Sequence, residues 1–479
     1  MGIVLDKSTK AGLGYTMGNV LVKGISFLTL PLFSRIMTTE EFGIYNVFVS
    51  YEAILYVISG LAIHTSVRSA KLEFKERIDE YISSVALIYI LNFVILSGIV
   101  LWFGENLGNW MGFDRPVLEL LVMYSFGNAV LALYNGRISL DYLYRRYLAA
   151  AFLNSAGSIA LSVVLIFTVC RANKETGRIL GATVTAFLLA LVILAVLLKT
   201  AKPVCTRMYW GFALKYSLPI VPHGISQVIL AQFDRIMIRT LVGNAEAGIY
   251  SLAGNIKLIL VIMTDSVAMA WSTWFYEQIE RKEIKMIQSR ANQLALLSVI
   301  CTVGCMAIAP ELIGLLGGDA YAAGKYAAIP MILDAFVLFQ YNLIVVAEYY
   351  RKKTVCIMWG TMMAAGINLV TNYIFITRFG FIAAAYTTLF SYTCYLAVHL
   401  AISRRLVGAF ILSLGRLAFY AGITLVSAGI NLYFMQSVPM RWGVCAVLVL
   451  VLGSRLIQEA GVLEKRKKRG KEEDDQKGC

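Results

Sequence analysis

The sequence is poor in charged side chains. Asp, Glu, Lys and Arg make up 15% of its 479 residues, whereas hydrophobic residues make up 59%. A soluble domain averages about 25% charged and about 45–50% apolar residues. A water-soluble chain of this composition could not cover its surface with polar groups. The scarcity of charge therefore excludes a cytoplasmic enzyme, a secreted disulfide scaffold and a disordered protein, and it indicates that a lipid bilayer surrounds most of the chain.

Metal-binding and disulfide patterns are also missing. The chain has three histidines and eight cysteines, and no two cysteines form a CxxC pair. Cys301 and Cys305 share a helix face, but neither a histidine nor an acidic residue adjoins them. His64 and His399 lie near the inner ends of predicted helices, where we expect no functional role. The sequence therefore predicts neither a metal site nor a cofactor, and the cysteines are interpreted as small core residues.

No catalytic motif is visible either. The segment 317–326 comes closest to a phosphate-binding loop, but its glycine spacing is one residue too long and Tyr326 stands where Ser or Thr is required. We therefore expect no catalytic residue and no nucleotide site, which argues against an enzyme and against an ATP-driven pump. The net charge of +14 lies in short basic clusters between apolar runs, so it does not indicate a nucleic-acid partner.

Long apolar runs dominate what is present. A membrane-spanning helix needs about 20 mostly apolar residues, and the runs predict an all-α integral membrane protein with about fourteen such helices. The intervening loops are short, so no soluble domain is expected on either face, and membrane lipids are the expected surroundings. The predicted spans are 12–36, 42–67, 81–103, 117–140, 147–170, 179–198, 213–238, 246–273, 292–317, 326–349, 354–377, 380–402, 414–434 and 441–458.

The basic residues divide unequally between the loops. With an even number of spans both termini face the same side, and that side carries most of the 43 Lys and Arg residues. Such an excess marks the cytoplasmic side of a membrane, so both termini are predicted to be cytoplasmic. One loop departs from the rule, because Arg171, Lys174 and Arg178 fall on the outer side. The charged tail is interpreted as a solvated anchor of this topology.

Two distant parts of the chain repeat each other in order. The aligned pairs are KGIS 23–26 with HGIS 223–226, FSRIM 33–37 with FDRIM 233–237, and FGIY 42–45 with AGIY 247–250. An even number of spans separates the copies, so both enter the membrane in the same direction. Parallel repeats of this kind imply two lobes with a substrate path between them. The predicted parts are a six-helix N-lobe 1–200, a six-helix C-lobe 201–405, two extra helices 406–460 and a cytoplasmic tail 461–479.

Five ionisable side chains are predicted to lie deep in the membrane. Counting about 1.5 Å per helical residue places Lys23, His223 and Lys257 near the midplane, with Glu52 and Asp334 also at depth. Each charge there costs about 2.5–3.5 kcal/mol, so it should face the protein interior or a water-filled cavity. One interpretation is a cationic cavity that binds substrate through the three basic groups, while the two acids couple transport to an ion. The alternative is that the acids merely neutralise the lysines.

Span seven contains a cluster of helix-breaking residues. Pro219, Pro222 and Gly224 follow one another closely, and proline removes a backbone donor while glycine adds conformational freedom. Freed backbone groups are tolerated at membrane depth only against protein or a water-filled cavity. We therefore expect either a hinge beside the transport path or a simple kink.

Charged residues mark the outer ends of spans one and seven. Arg35 closes the first span, and Asp234 and Arg235 occupy the same place in the second copy. Their position in the repeated segments predicts an outer gate.

The repeated segments resemble a known family. The stretch from Phe233 to Tyr250 resembles the start of the second lobe in polysaccharide flippases of the Wzx type, and Thr38 to Tyr45 is similar to part of their first lobe. Gly318-Asp319-Ala320-Tyr321 after span nine also fits. These flippases belong to the multidrug/oligosaccharidyl-lipid/polysaccharide exporter superfamily, and the resemblance covers essentially the whole chain.

The resemblance implies a flippase of the bacterial inner membrane. Such a protein moves an undecaprenyl-pyrophosphate-linked oligosaccharide from the cytoplasmic to the periplasmic leaflet by alternating access. The product feeds a cell-surface polysaccharide such as O-antigen, lipopolysaccharide or exopolysaccharide, so a polymerase and a chain-length regulator are implied partners. Lys23 and Lys257 would then suit the pyrophosphate or acidic sugars.

Three other classes of membrane protein remain as alternatives. A cation-coupled multidrug exporter of the same superfamily would be expected to carry an acid deep in span one or seven, but span one has none and Asp234 lies at the outer end of span seven. A flippase for a peptidoglycan precursor would be expected to show several arginines where Lys23 stands alone at depth. A membrane glycosyltransferase or polymerase usually needs large loops or an aqueous catalytic domain.

Overall fold

A computed structural model of the chain describes residues 14, 18, 24, 25 and 27–477, with side chains up to residue 458. Regular secondary structure in this part is helical, without a β-strand. The helices are α1 (Leu30–Ile36), α2 (Thr39–Gly60), α3 (Val67–Phe74), α4 (Ile78–Met111), α5 (Arg115–Ser139), α6 (Tyr144–Phe167), α7 (Lys174–Thr200), α8 (Arg207–Ser217), α9 (Val221–Leu241), α10 (Asn244–Glu280), α11 (Ile284–Gly317), α12 (Gly324–Tyr350), α13 (Thr354–Phe379), α14 (Ile382–Val407), α15 (Leu414–Tyr433) and α16 (Val438–Lys477).

The helices confirm the predicted all-α membrane fold. Within the described residues helical structure coincides with each of the fourteen predicted spans, and for the first span it is seen in α1 over the last turns. Ten helical segments of the described part are long and apolar enough to cross a membrane, judged by length and composition. Several helices are longer than predicted: α4 has 34 residues and α10 has 37. A helix needs about 20 residues to cross the bilayer core, so α4 and α10 are longer than a single crossing requires.

The turn between α1 and α2 is fixed by a capping box. The side chain of Thr38 accepts a hydrogen bond from the backbone N–H of Glu41 over 3.1 Å, and the Glu41 carboxylate accepts one from the N–H of Thr38 over 2.7 Å. The reciprocal pair satisfies two backbone donors that a helix start would leave open. The sequence Thr-Thr-Glu-Glu therefore starts α2 at a defined residue and positions the repeated motif that follows.

The chain divides into two compact units, of which the first is Met1–Ser251. In this unit α5 packs against α2, α4 and α7, and α6 packs against α7. Aromatic side chains attach α8 to α3 and α4: the ring centroids of Phe74 and Tyr209 lie 4.9 Å apart, and those of Phe74 and Tyr81 lie 5.2 Å apart. The Tyr209 hydroxyl also donates to Glu80 over 3.1 Å.

The second unit is Leu252–Cys479, and α12 is its central helix. The α12 span is more deeply buried than any other candidate span of the described residues, and it packs against α11 and α14. The last helix is attached to α11 by Arg441, whose guanidinium lies 2.6 Å from the Glu311 carboxylate and donates over 2.6 Å to the carbonyl of Ala307. The boundary between the units falls inside α10, and the predicted lobe boundaries stay predictions.

Candidate functional site

Glu52 is a buried carboxylate on α2, 8% exposed. Its Oε1 accepts a hydrogen bond from Nδ2 of Asn128 on α5 over 2.9 Å. A neutral amide satisfies a lone pair of the carboxylate without cancelling its charge. Lys23, the cation proposed to neutralise Glu52, lies outside the described residues. The two roles predicted for Glu52, coupling transport to an ion and neutralising Lys23, therefore both stay predictions.

Lys257 and Asp334 come together in the second unit. Nζ of Lys257 on α10 lies 3.0 Å from Oδ1 and 3.2 Å from Oδ2 of Asp334 on α12. The lysine side chain is 24% exposed and the aspartate 1%. The two residues were predicted in different roles, one for substrate and one for ion coupling, and the structure joins them in one ion pair. Their arrangement is the one expected if the acid neutralises the lysine, with the cation on the more accessible side.

The helix-breaking residues of span seven interrupt its helix. The predicted span 213–238 is divided into the end of α8, a 3-10 turn over Leu218–Ile220 and then α9. Pro219 lies in the turn and Pro222 in the first turn of α9, where a missing N–H costs nothing. A Cβ at Gly224 would lie 3.3 Å from Cγ1 of Val57 on α2, so glycine permits close packing here. The break is in place, and the hinge role stays a prediction.

His223 lies in the first turn of α9, directly after this break. Its side chain is half-buried, and Nδ1 has no hydrogen-bond partner among the described residues. An imidazole nitrogen in that position is able to accept or donate a proton when a ligand or water approaches. The predicted contribution of His223 to a cationic cavity is therefore compatible with its position and stays a prediction.

The outer-end residues of the two copies differ in their surroundings. Asp234 is 4% exposed, and its Oδ2 accepts a hydrogen bond from the Tyr250 hydroxyl over 2.6 Å. Arg235 donates to the side chain of Gln232 within the same helix. Arg35 is exposed. Asp234 thus ties α9 to the start of α10, and a gating role for the three residues stays a prediction.

The two GIY segments, 43–45 and 248–250, cross at their glycines, and the sequence analysis did not predict this contact. A Cβ at Gly43 would run into the carbonyl of Asn244 and lie 2.9 Å from the N of Gly248. A Cβ at Gly248 would run into the carbonyl of Thr39 and lie 3.0 Å from the N of Gly43. The first turns of α2 and α10 therefore touch backbone to backbone. The repeat itself was the available signal, because both copies keep glycine at this place.

Two of the basic residues that break the topology rule have specific partners. Nζ of Lys174 donates to the carbonyl of Ile36 at the end of α1 over 2.7 Å, where the helix dipole favours a cation. The Arg178 guanidinium lies 4.1 Å from the ring centroid of Phe33 and 4.7 Å from that of Tyr45. Both cations thus have specific partners in the first unit, and the side of the membrane on which their loop lies stays a prediction.

A second buried ionisable pair was also missed. Nδ1 of His399 on α14 lies 2.6 Å from Oε1 of Glu348 on α12, and both side chains are 0% exposed. Glu348 lies inside the predicted tenth span, next to a basic loop, and the sequence analysis assigned it no role. Its burial in the structure was the missing information, because sequence position alone does not tell which way a residue near a helix end points.

An apolar groove runs between α13 and α14. Its volume is about 610 Å³, and it is lined chiefly by Phe375, Phe379, Tyr386 and Phe390. Aromatic and aliphatic walls of this kind suit a hydrocarbon chain and offer little to a sugar.

The long apolar helices define a multi-pass membrane protein, and its fold is similar to those of solved membrane proteins. The structure of the lipid II flippase MurJ in an inward closed conformation has a TM-score of 0.69 at 14% identity, over 93% of this chain and 99% of that one. An inward-facing multidrug resistance MATE transporter of the MOP superfamily has a TM-score of 0.62 at 15% identity, over 83% and 98%.

The sequence assigns the chain to a family. The pattern of the family described as "Polysaccharide biosynthesis protein" matches residues 8–272, more than half of the chain, and the chain belongs to this family, as the resemblance predicted. Lsg locus putative protein 1 of Haemophilus influenzae is 20% identical over 71% of this chain and 84% of its own length. The probable low-salt glycan biosynthesis flippase Agl15 of Haloferax volcanii is 20% identical over 80% of each.

Proposed function

We propose that the chain is a flippase for an undecaprenyl-pyrophosphate-linked oligosaccharide. It moves this lipid from the cytoplasmic to the periplasmic leaflet of a bacterial inner membrane, for the synthesis of a cell-surface polysaccharide. Membership of the polysaccharide biosynthesis family carries the proposal. The similarity to a relative described as a glycan biosynthesis flippase supports it, and a fold like those of MurJ and a MATE transporter is compatible with alternating access.

The proposed contacts of the pyrophosphate are Lys23 and Lys257, with His223 nearby in the second copy of the repeat. Lys257 is the group whose geometry supports this role, because its side chain is 24% exposed while its partner Asp334 is 1% exposed. An ammonium that is partly accessible can turn from a carboxylate to a phosphate oxygen without losing ionic contact, since its three donors rotate freely. In this proposal Asp334 holds the cation in place until the substrate arrives.

The direction of transport follows from the predicted topology. With both termini in the cytoplasm, the basic face of the protein lies where lipid-linked sugars are assembled, and the polar head enters from that side. A polymerase and a chain-length regulator would then use the translocated lipid on the other side. These partners are part of the proposal.

Translocation without a sugar donor tests the proposed function. The chain is reconstituted into vesicles with a tracer of undecaprenyl-pyrophosphate oligosaccharide, and a soluble glycosidase added outside measures how much of the tracer becomes accessible. We expect the protein to raise accessibility beyond the fraction that is exposed at the start. Lys257→Met should slow this process, and Lys353→Met, in an exposed inner loop, is the matched control.

Two other outcomes would replace the proposal. Longer sugar chains formed from added nucleotide sugars, without translocation, would identify a glycosyltransferase. Export of an organic cation against an ion gradient, without movement of the lipid, would identify a multidrug exporter.

A further inference from the structure

Glu348 and His399 form an isolated ionisable pair inside the second unit. Their contact is 2.6 Å between Oε1 and Nδ1, and neither side chain reaches the surface. The other carboxylate oxygen, Oε2, and the other ring nitrogen, Nε2, have no hydrogen-bond partner within the described part of the chain. Each side chain thus makes one hydrogen bond within the described part of the chain, although buried polar atoms are normally all paired. A fully structural ion pair would use more of its donors and acceptors.

The surroundings of the pair are polar but carry no fixed charge. Tyr341 on α12 and Tyr395 on α14 lie edge-on to the imidazole, with ring centroids 5.1 Å and 4.6 Å away. The hydroxyl of Tyr395 donates to that of Tyr341 over 2.7 Å and lies 2.9 Å from that of Thr361 on α13. Tyr349, the residue after Glu348 on α12, is a further titratable group beside the pair. Among the described residues no lysine or arginine forms an ion pair with Glu348.

The space at the open nitrogen is too small for a metal ion. Gly360 on α13 lies against the imidazole, and a Cβ at this residue would run into Nε2 and lie 3.0 Å from Cε1. A zinc ion needs about 2.0–2.1 Å to nitrogen and further ligands around it. The residues described also contain no group of three or more His, Cys, Asp or Glu that could hold a metal. A proton is the ligand that fits.

Burial determines how many protons the pair holds. With one proton the pair is neutral overall, whether the proton lies on the imidazole or on the carboxyl group. Losing that proton leaves one net negative charge away from water, and gaining a second leaves one net positive charge, and both are strongly unfavourable. A proton can therefore leave the pair or join it at low cost only when water reaches the two side chains.

We propose that Glu348 and His399 together form a proton-binding site that couples transport to a proton gradient. The coupling rests on the proposed function, because it needs a transport cycle to drive. Glu348 lies two residues before the end of α12, where the basic loop from Arg351 begins, and Arg404 follows His399 by five residues in α14. Water from the predicted cytoplasmic side thus has a short way to the pair. One proton binds and one is released in each cycle, and no covalent bond is made or broken.

Flipping under an imposed pH gradient tests the site. In the vesicle assay, one proton per transported lipid shifts the final ratio of tracer between the leaflets by up to tenfold per pH unit, since a proton moved across one pH unit changes an equilibrium tenfold. We expect this shift for the parent chain. Glu348→Gln should still let the tracer equilibrate, with a ratio that no longer depends on the gradient. Glu76→Gln, at an exposed inner turn, is the matched control and should keep the shift.

Different failures have different meanings. A Glu348→Gln chain that keeps the full tenfold shift overturns the proton site. A parent chain that flips the lipid without any response to the gradient also overturns it and leaves the flippase standing. A parent chain that does not move the lipid overturns the proposed function. Glu52→Gln and Asp334→Asn belong in the same series, because loss of the shift in either, with the shift kept in Glu348→Gln, assigns coupling to the acids predicted from sequence.

A spectroscopic measurement keeps the site testable if Glu348→Gln does not fold. The chain has three histidines, so His64→Gln with His223→Gln leaves His399 alone. With ¹⁵N-labelled histidine, we expect Nδ1 to report a proton shared with a carboxylate and a transition that is cooperative with that of the carboxyl group. A His399 signal that titrates like a free imidazole in solution, or an imidazole that stays neutral with no carboxyl proton at any pH at which the protein is folded, overturns the proposal.

Discussion

Lys257→Met is expected to destabilise the protein more than Asp334→Asn, although both changes break the same ion pair. The ammonium and the carboxylate lie 3.0 Å apart, and at an effective dielectric constant of about 20 their attraction is about 5.5 kcal/mol. Loss of the ammonium takes the ion-pair partner from a carboxylate that is 1% exposed, and we expect this to cost about 3–5 kcal/mol. Loss of the carboxylate leaves a lysine that is 24% exposed and can extend its stem towards water. For that change we expect about 1–2 kcal/mol, nearer the range of an exposed pair.

The assay is a double-mutant cycle on the free energy of unfolding. Denaturant unfolding in mixed micelles is measured for the parent, for each single variant and for the combination of Lys257→Met with Asp334→Asn. The combined variant buries no charge at this place, so we expect it to be at least 1 kcal/mol more stable than the sum of the single losses predicts. Leaflet exchange of the lipid tracer is measured on the same four proteins.

One result would refute this reasoning about the pair. If Lys257→Met unfolds like the parent and the cycle gives no coupling energy, the ammonium does not neutralise Asp334 in the membrane. If that same variant also loses translocation, and Asp334→Asn does not restore it, Lys257 acts on the substrate alone. The substitution Lys257→Arg separates the two cases further, because a planar guanidinium keeps the charge and changes the geometry of the contact.

The other predictions concern a helix crossing, an intramembrane lysine and the last helix. Gly43→Ala should cost about 1–3 kcal/mol of stability because its Cβ runs into the facing backbone. The control Gly98→Ala, with open space around it, should be neutral or gain up to about 1 kcal/mol of stability. Equal shifts of the melting temperature in the two variants would contradict the crossing. Lys23→Ala should impair translocation more than Lys23→Arg, and equal losses would argue against an anion contact. Arg441→Met should lower the free energy of unfolding by about 1–2 kcal/mol, because it breaks the 2.6 Å pair with Glu311 and leaves a carboxylate that is 34% exposed. An unchanged unfolding curve would show that the pair contributes nothing.

The number and type of the helices could be predicted because hydropathy is read along the chain, without knowing which segments pack together. Each apolar run is long enough to cross a bilayer by itself, and backbone hydrogen bonds must be satisfied inside the segment at that depth. The number and type of the elements therefore follow from run length. Run length does not set where a helix stops: α4 (Ile78–Met111) and α10 (Asn244–Glu280) are each longer than the predicted span that they contain.

The partners of the buried charges could not be predicted in the same way. Lys257 and Asp334 are 77 residues apart in sequence, and Glu348 and His399 are 51 apart. Whether two such groups meet depends on the rotation of each helix about its axis and on its neighbours. A shift of one residue turns a side chain by about 100° because an α-helix has 3.6 residues per turn. The depth of these residues could therefore be predicted from the sequence and stays a prediction, whereas their pairing could not be predicted.

The crossing of the two GIY segments explains why the internal repeat remained recognisable there. A Cβ on either glycine would run into the carbonyl four residues before the other glycine, Asn244 for Gly43 and Thr39 for Gly248. The obstacle in both directions is backbone, so a smaller side chain on one helix cannot make room for a larger one on the other. Each copy therefore restricts the same position of its counterpart.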